Sequence, residues 1–242
     1  MSVDADQPAR APNVPRELVY QLGTDREELT PERLRVLERI RPRRRVLEVG
    51  AATGLFTRML LSDDHEVTAV EGDVRAVEIA RRRGVPAIAG DIELESTWAQ
   101  IAGTFDAIVL MHVLEHLVDP WAVLARARER LNPDGVVISL LPNVAAWRVR
   151  KDLFLHGKFE YTDTGILDRT HLRFFNLASG IALHRDSGFR EVRWWPADVC
   201  VPLERRLRVG LGLEGMARHW NEFMIRRFPN LCAEIIQFEA TA

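Results

Sequence analysis

Between positions 45 and 141 the chain alternates short apolar runs with amphipathic stretches, and that rhythm leaves few folds open. The runs at 45–49, 67–70, 87–89, 107–111 and 136–141 are strand-sized. The stretches at 55–61, 74–83 and 120–131 carry apolar residues at helical spacing. Strands separated by helices need crossover connections. The chain is therefore expected to form a parallel sheet with helices on both faces, with ligands at the carboxyl ends of the strands. A helix over 30–40 precedes the first strand, marked by Thr30-Pro31, Glu32 and the apolar positions Leu34, Val36, Leu37 and Ile40. A helix over 177–187 and strands at 190–195 and 232–239 complete a seven-stranded, mostly parallel α/β sheet.

With 242 residues, 47% of them hydrophobic, the chain can bury one substantial core. Residues 1–15, rich in Pro, Ala and Asp, are expected to be a mobile tail, and 16–242 a single domain. After Leu141 the rhythm changes. The segment 142–170 sets Trp147, Phe154, Phe159 and Tyr161 among charges, as a lid over a site would. Residues 201–228 read as a surface helical insertion, a helix pair carrying six arginines.

A formal net charge of -2 argues against a general nucleic-acid binder. The two cysteines, Cys200 and Cys232, are too few for a zinc cluster or a disulfide framework and fit a reducing compartment. The first residues lack the basic start and apolar stretch of a signal peptide, so a cytoplasmic location is expected.

The first strand runs into Glu48-Val49-Gly50-Ala51-Ala52-Thr53-Gly54, a turn whose small residues let backbone amides approach a ligand at a helix start. The spacing is not G-x-G-x-x-G, which disfavours a dinucleotide's pyrophosphate. Glu71 ends the second strand about twenty residues on, where a carboxylate can accept both ribose hydroxyls. Asp91, in Gly90-Asp91-Ile92 after the third strand, can accept from an adenine amino group. Three acids at successive strand ends point to one nucleoside-binding crevice.

On these motifs, from about Val46 to Gly188, the chain resembles the class I S-adenosylmethionine-dependent methyltransferases. The resemblance implies a Rossmann-like fold with a small cap insertion and S-adenosylmethionine as cofactor. It implies that Glu48 holds the methionine amino end and that Gly50, Ala51, Ala52, Thr53 and Gly54 lie under methionine and ribose. Glu71 beside Gly72 would take the ribose hydroxyls, and Asp91 with Ile92 the adenine. The segment Met111-His112-Val113-Leu114-Glu115-His116-Leu117 resembles the stretch beside the cofactor sulfur, making Met111 and His112 cofactor contacts. The departures are Ala52, where glycine is commoner, and His112, where small or acidic residues are frequent.

Methyl transfer from a sulfonium is an in-line displacement, and an unactivated hydroxyl acceptor also needs a base. The segment 161–175 combines His171, Asp168 and Arg173 with aromatics. His171 is the candidate base with Asp168 orienting it, His116 a second catalytic candidate, and Tyr161, Arg173 and Asn143 candidate acceptor contacts. Together with Pro142-Asn143-Val144 and residues 20–25, the segment is similar to a bacterial subgroup associated with glycan and secondary-metabolite biosynthesis. That favours O-methylation of a sugar, glycan or natural-product hydroxyl, while methylation at nitrogen or carbon, or a non-catalytic binding module, stays open.

Asp163 and Asp168 alone are too common a pair to imply magnesium, so no metal is expected. The aromatic motif of enzymes that methylate nucleobase amino groups is absent, which disfavours nucleic acid as partner. Arg205 to Arg208, with Arg226 and Arg227, give a peripheral membrane contact a possible footing, against the plainer reading of a solvated helix face.

Overall fold

The computed structural model describes residues 30–41, 45–204, 207–208 and 213–242. The expected tail at 1–15 and the segment 20–25 lie outside the described residues. Helix α1 (Pro31–Ile40) starts where Thr30 accepts the Arg33 N–H, with Pro31 in the first turn. Strands β1 (Arg45–Val49), β2 (Glu66–Glu71), β3 (Ala87–Ala89), β4 (Phe105–Met111) and β5 (Leu131–Pro142) follow, separated by α2 (Leu55–Ser62), α3 (Val74–Arg82), the short α4 (Glu95–Trp98) and α5 (Pro120–Glu129). The chain then forms α6 (Trp147–His156), α7 (Leu177–Asp186), β6 (Glu191–Val199), α8 (Glu214–Arg227), α9 (Pro229–Cys232) and β7 (Ala233–Thr241).

The sheet order is β3-β2-β1-β4-β5-β7-β6. Pairings among β1 to β5 are parallel, whereas β7 lies antiparallel between β5 and β6. The seven-stranded, mostly parallel sheet expected from the sequence is the one formed. Side-chain alternation sends Val46, Ala107, Val109, Val136, Ile138 and Leu140 to a layer with α1 and α2. Leu47, Val49, Ile108, Leu110, Val137 and Leu141 face the opposite layer, with α5 and α7. Because both faces are covered, each central strand reads as a continuous apolar run. Gly180 lets α7 press on β7, since a Cβ there would lie 2.3 Å from Phe238 Cζ.

Three regions differ from expectation. Strand β5 begins at Leu131 rather than 136, because Asn132-Pro133-Asp134-Gly135 forms an irregularity between the Phe105 and Ala107 pairings, with Asp134 at φ 66°. Within 142–170 the structure contains α6, which buries only Val149 and so shows no apolar stripe in the sequence. Of the expected helix pair at 201–228, α8 is present, while 205–206 and 209–212 lie outside the described residues.

No helix among the described residues is long and apolar enough to cross a membrane. Of the basic stretch, Arg208 pairs with Glu204, and Arg227 lies over the Phe228 ring.

Candidate functional site

The carboxyl ends of β1, β2, β3 and β4 open into a cleft of about 580 Å³. Its wall includes Glu48, Gly50, Ala51, Ala52, Thr53, Glu71, Gly72, Asp91, Ile92, Met111 and His112, all named from the sequence as cofactor contacts. Gly54 is not on the wall; it starts α2 in the left-handed conformation, φ 79°. A second hollow, of about 780 Å³, lies beside α8 and is lined by His219, Glu222, Phe223, Ile225, Arg226 and Arg227, with no strand end contributing to it.

The turn after β1 is pinned to β2 by the Gly50 and Ala51 N–H groups, which donate to the Val70 carbonyl at 2.8 and 3.1 Å. Gly50 adopts φ 76°, and a Cβ there would lie 2.5 Å from Val113 Cγ2, so only glycine fits. Ala52 occupies the left-handed region at φ 48°, a conformation in which its methyl is strained but accommodated. Glu71 fixes the same turn: its Oε2 accepts the Ala52 N–H and its Oε1 the Asp73 N–H, each at 2.8 Å. Asp91 is exposed, with Oδ1 accepting the Glu93 N–H at 2.9 Å.

Glu48 is 2% exposed. Burial pushes its carboxyl up to about 7, partly offset by the Thr57 hydroxyl donating to Oε2 at 2.6 Å. A buried acid poised in this way favours a cationic ligand group. With two further strand-end acids on the same wall, the donor set fits a nucleoside bearing an ammonium and a sulfonium.

The far end of the cleft is built from a 3-10 turn, Leu114–His116, and the loop at 166–173. The Leu172 and Arg173 N–H groups donate to the Glu115 carbonyl at 2.8 and 3.0 Å, hanging the loop on the turn. His116, Thr170 and Leu172 reach the cleft wall. His171, almost buried, meets His116 edge-on with ring centroids 4.8 Å apart. Its Nδ1 lies 3.0 Å from the Ile166 carbonyl, and burial holds the imidazole below its ordinary pKa.

Asp168 does not orient His171 as expected. Its Oδ1 accepts the Thr170 N–H and hydroxyl, at 2.8 and 2.7 Å, closing a local turn of the kind aspartate favours. The carboxylate facing His171 is Glu115, with Oε1 4.0 Å from His171 Nε2. Glu115 also stands 3.5 Å from His112 Nδ1, and Glu32 of α1 stands 3.6 Å from His112 Nε2. Burial opposes a charge on His112, but the two carboxylates outweigh it and push its pKa up to about 10.

Three expected acceptor contacts lie away from the wall. Asn143 is fully buried, and its amide donates to the Asn230 and Ala233 carbonyls, tying the end of β5 to β7. Tyr161 packs in an exposed aromatic group with Phe159 and Phe174. Arg173 donates to the Val118 carbonyl and lies over Trp121. Asp163 pairs with exposed Arg169. Sequence reasoning missed Glu115, and also Glu32 and Arg33 of α1, which line the cleft; the signal for the first was an acid between Leu114 and Leu117, three residues after His112.

A family profile described as "Methyltransferase domain" matches residues 22–193. "Ubiquinone biosynthesis O-methyltransferase" of Xanthomonas axonopodis pv. citri (strain 306) is 34% identical over 113 residues, 44% of this chain and 47% of that protein. The chain spans less than half the length of the curated relatives it matches. Among solved structures, a SAM dependent methyltransferase from Archaeoglobus fulgidus aligns with a TM-score of 0.61 at 17% identity, over 87% of this chain and 94% of that one. A second, from Thermotoga maritima, whose title calls it a possible histamine N-methyltransferase, gives 0.57 at 19% identity, over 87% of each chain. With the profile covering most of the sequence and the fold aligning with such structures over 87% of the chain, the chain belongs to the methyltransferase-domain family and has the fold of S-adenosylmethionine-dependent methyltransferases.

Proposed function

We propose that the protein transfers a methyl group from S-adenosylmethionine to a hydroxyl oxygen of a small acceptor, a sugar, glycan or related natural product. The observation that carries this reading is the union, around one cleft, of a strand-end nucleoside site with the paired imidazoles of His116 and His171 at its far end. Glu71 and Asp91 hold ribose and adenine, and Glu48 receives the methionine ammonium. The sulfonium methyl then lies toward His112 and His116. In the transfer the acceptor oxygen bonds the methyl carbon, sulfur keeps the electron pair of the broken bond, and the hydroxyl proton leaves through the His116–His171 pair. The segment 142–170 covers the acceptor.

Oxygen as acceptor atom gains support from curated relatives whose names carry O-methyltransferase, although the similarity spans only part of their length. The test is product analysis after incubation with methyl-labelled cofactor and a panel of hydroxylated sugars and phenols. An O-linked methyl supports the reading, and a product labelled at nitrogen or carbon overturns it.

A further inference from the structure

Glu115 is 1% exposed, and neither carboxylate oxygen has a hydrogen-bond partner. An ionised carboxylate left so in a protein interior costs free energy unless a cation completes it. His112 supplies charge at 3.5 Å, but that contact is an ion pair rather than a made hydrogen bond. On the other side stand two imidazoles in matching states. His171 Nδ1 faces the Ile166 carbonyl at 3.0 Å and His116 Nδ1 the Thr170 carbonyl at 3.2 Å. A carbonyl only accepts, so each Nδ1 carries a hydrogen, and in the neutral imidazole that leaves the lone pair on Nε2. Imidazoles that donate one N–H to a backbone carbonyl and hold the other nitrogen free are oriented as metal ligands are.

We propose that Glu115, His116 and His171 hold a divalent cation at the acceptor end of the cleft, contrary to the expectation of no metal. One ligand atom from each lies within 4.8 Å of the others, and a shared ion at roughly 2.1 Å from each would draw those atoms to about 3.4 Å of one another, an inward movement of about 1 Å. Two nitrogens and one carboxylate suit zinc, cobalt, manganese or iron better than magnesium or calcium. Three protein ligands leave open positions, and of the three ligand residues His116 also lines the cleft. This inference rests on the O-methylation reading and deepens it. The ion would bind the acceptor oxygen and ease loss of its proton to solvent; with the ion in place the imidazoles are its ligands, and this route replaces the proton path through the His116–His171 pair while leaving the O-linked product unchanged.

The experiment is calorimetric titration of the chelator-treated full chain with Zn2+, and with Co2+ followed by visible absorption, which reports nitrogen ligation. The expected result is one equivalent bound, with affinity at least about tenfold weaker in Glu115→Gln and in His171→Gln. Each variant is first shown to be folded by its affinity for S-adenosylhomocysteine. No stoichiometric binding to folded protein, or binding undiminished in Glu115→Gln, overturns the proposal. O-linked product formed at full rate in excess chelator also overturns it while leaving the O-methylation reading standing. Stoichiometric binding with a nitrogen-linked product would do the reverse.

Discussion

Glu71 and Glu115 are both buried carboxylates of this site, 6% and 1% exposed, yet they stand in opposite states. Glu71 accepts two backbone N–H groups and so fixes the turn that receives the cofactor. The Glu115 carboxylate accepts none. At the cofactor end, backbone and strand ends complete the geometry before any ligand arrives, and preorganisation of that kind lowers the cost of binding. The acceptor end keeps an incomplete polar cluster, which its substrate or an ion must finish. A site divided in this way should respond differently to substitutions at its two ends.

The largest expected effect lies at the acceptor end. His171→Ala should lower methyl transfer at saturating cofactor by about 100-fold or more, with affinity for S-adenosylhomocysteine within about threefold of the parent. A fall of less than about tenfold would remove His171 from the chemistry. Glu71→Gln should behave in the opposite way. Loss of charge-assisted bonds to Ala52 and Asp73 should weaken cofactor binding by roughly 10- to 100-fold in a direct titration, with transfer recovering at saturation. If each variant changed both quantities equally, the division into two ends would fail.

The third effect is a pH dependence at the cofactor end. With the Glu48 carboxyl raised to about 7, the ionised form that receives an ammonium is depleted as pH falls through that value. Affinity for S-adenosylhomocysteine should therefore rise about tenfold between pH 6 and pH 8, and Glu48→Gln should flatten the profile. Stability of the free protein should move the other way. Between the ordinary carboxyl value of 4.5 and about 7 the folded state binds more protons than the unfolded one. Stability is thus fullest below that window and falls by about 3 kcal/mol across it, as denaturant titration at several pH values would show. The smallest effect belongs to Ala52→Gly. Removing a methyl from a residue at φ 48° should relieve strain of up to about 1 kcal/mol, largely offset by the roughly 0.5–1 kcal/mol that glycine's flexibility adds to the unfolded chain, so denaturant titration should show a net change within about 0.5 kcal/mol.

The same division marks what could be read from the residues alone. The central strands are legible because sheet faces covered on both sides demand continuous apolar runs, and Leu47, Ile108 and Val137 supply them. Once crossovers order the strands, Glu48, Glu71 and Asp91 must fall at the carboxyl ends, so their convergence follows from topology. The acceptor end offers no such rule. Asp168 stands three residues before His171, but an Asx turn to Thr170 takes its carboxylate, while the partner in space, Glu115, lies more than fifty residues away on a 3-10 turn without helical period. Asn143 seemed a polar residue free to meet substrate, and its burial between β5 and β7 depends on a long-range pairing that spacing does not reveal. Helix α6 escaped notice because its surface position removes the apolar stripe by which helices are recognised.

The most direct test of the account is calorimetric titration of the protein with S-adenosylhomocysteine, run beside NAD and beside Glu71→Ala and Asp91→Ala. The account expects micromolar binding, no response to NAD, and loss of binding in both variants. Protein shown to be folded that does not bind S-adenosylhomocysteine, or that binds it equally well without Glu71, would contradict the cofactor site and the activity built on it.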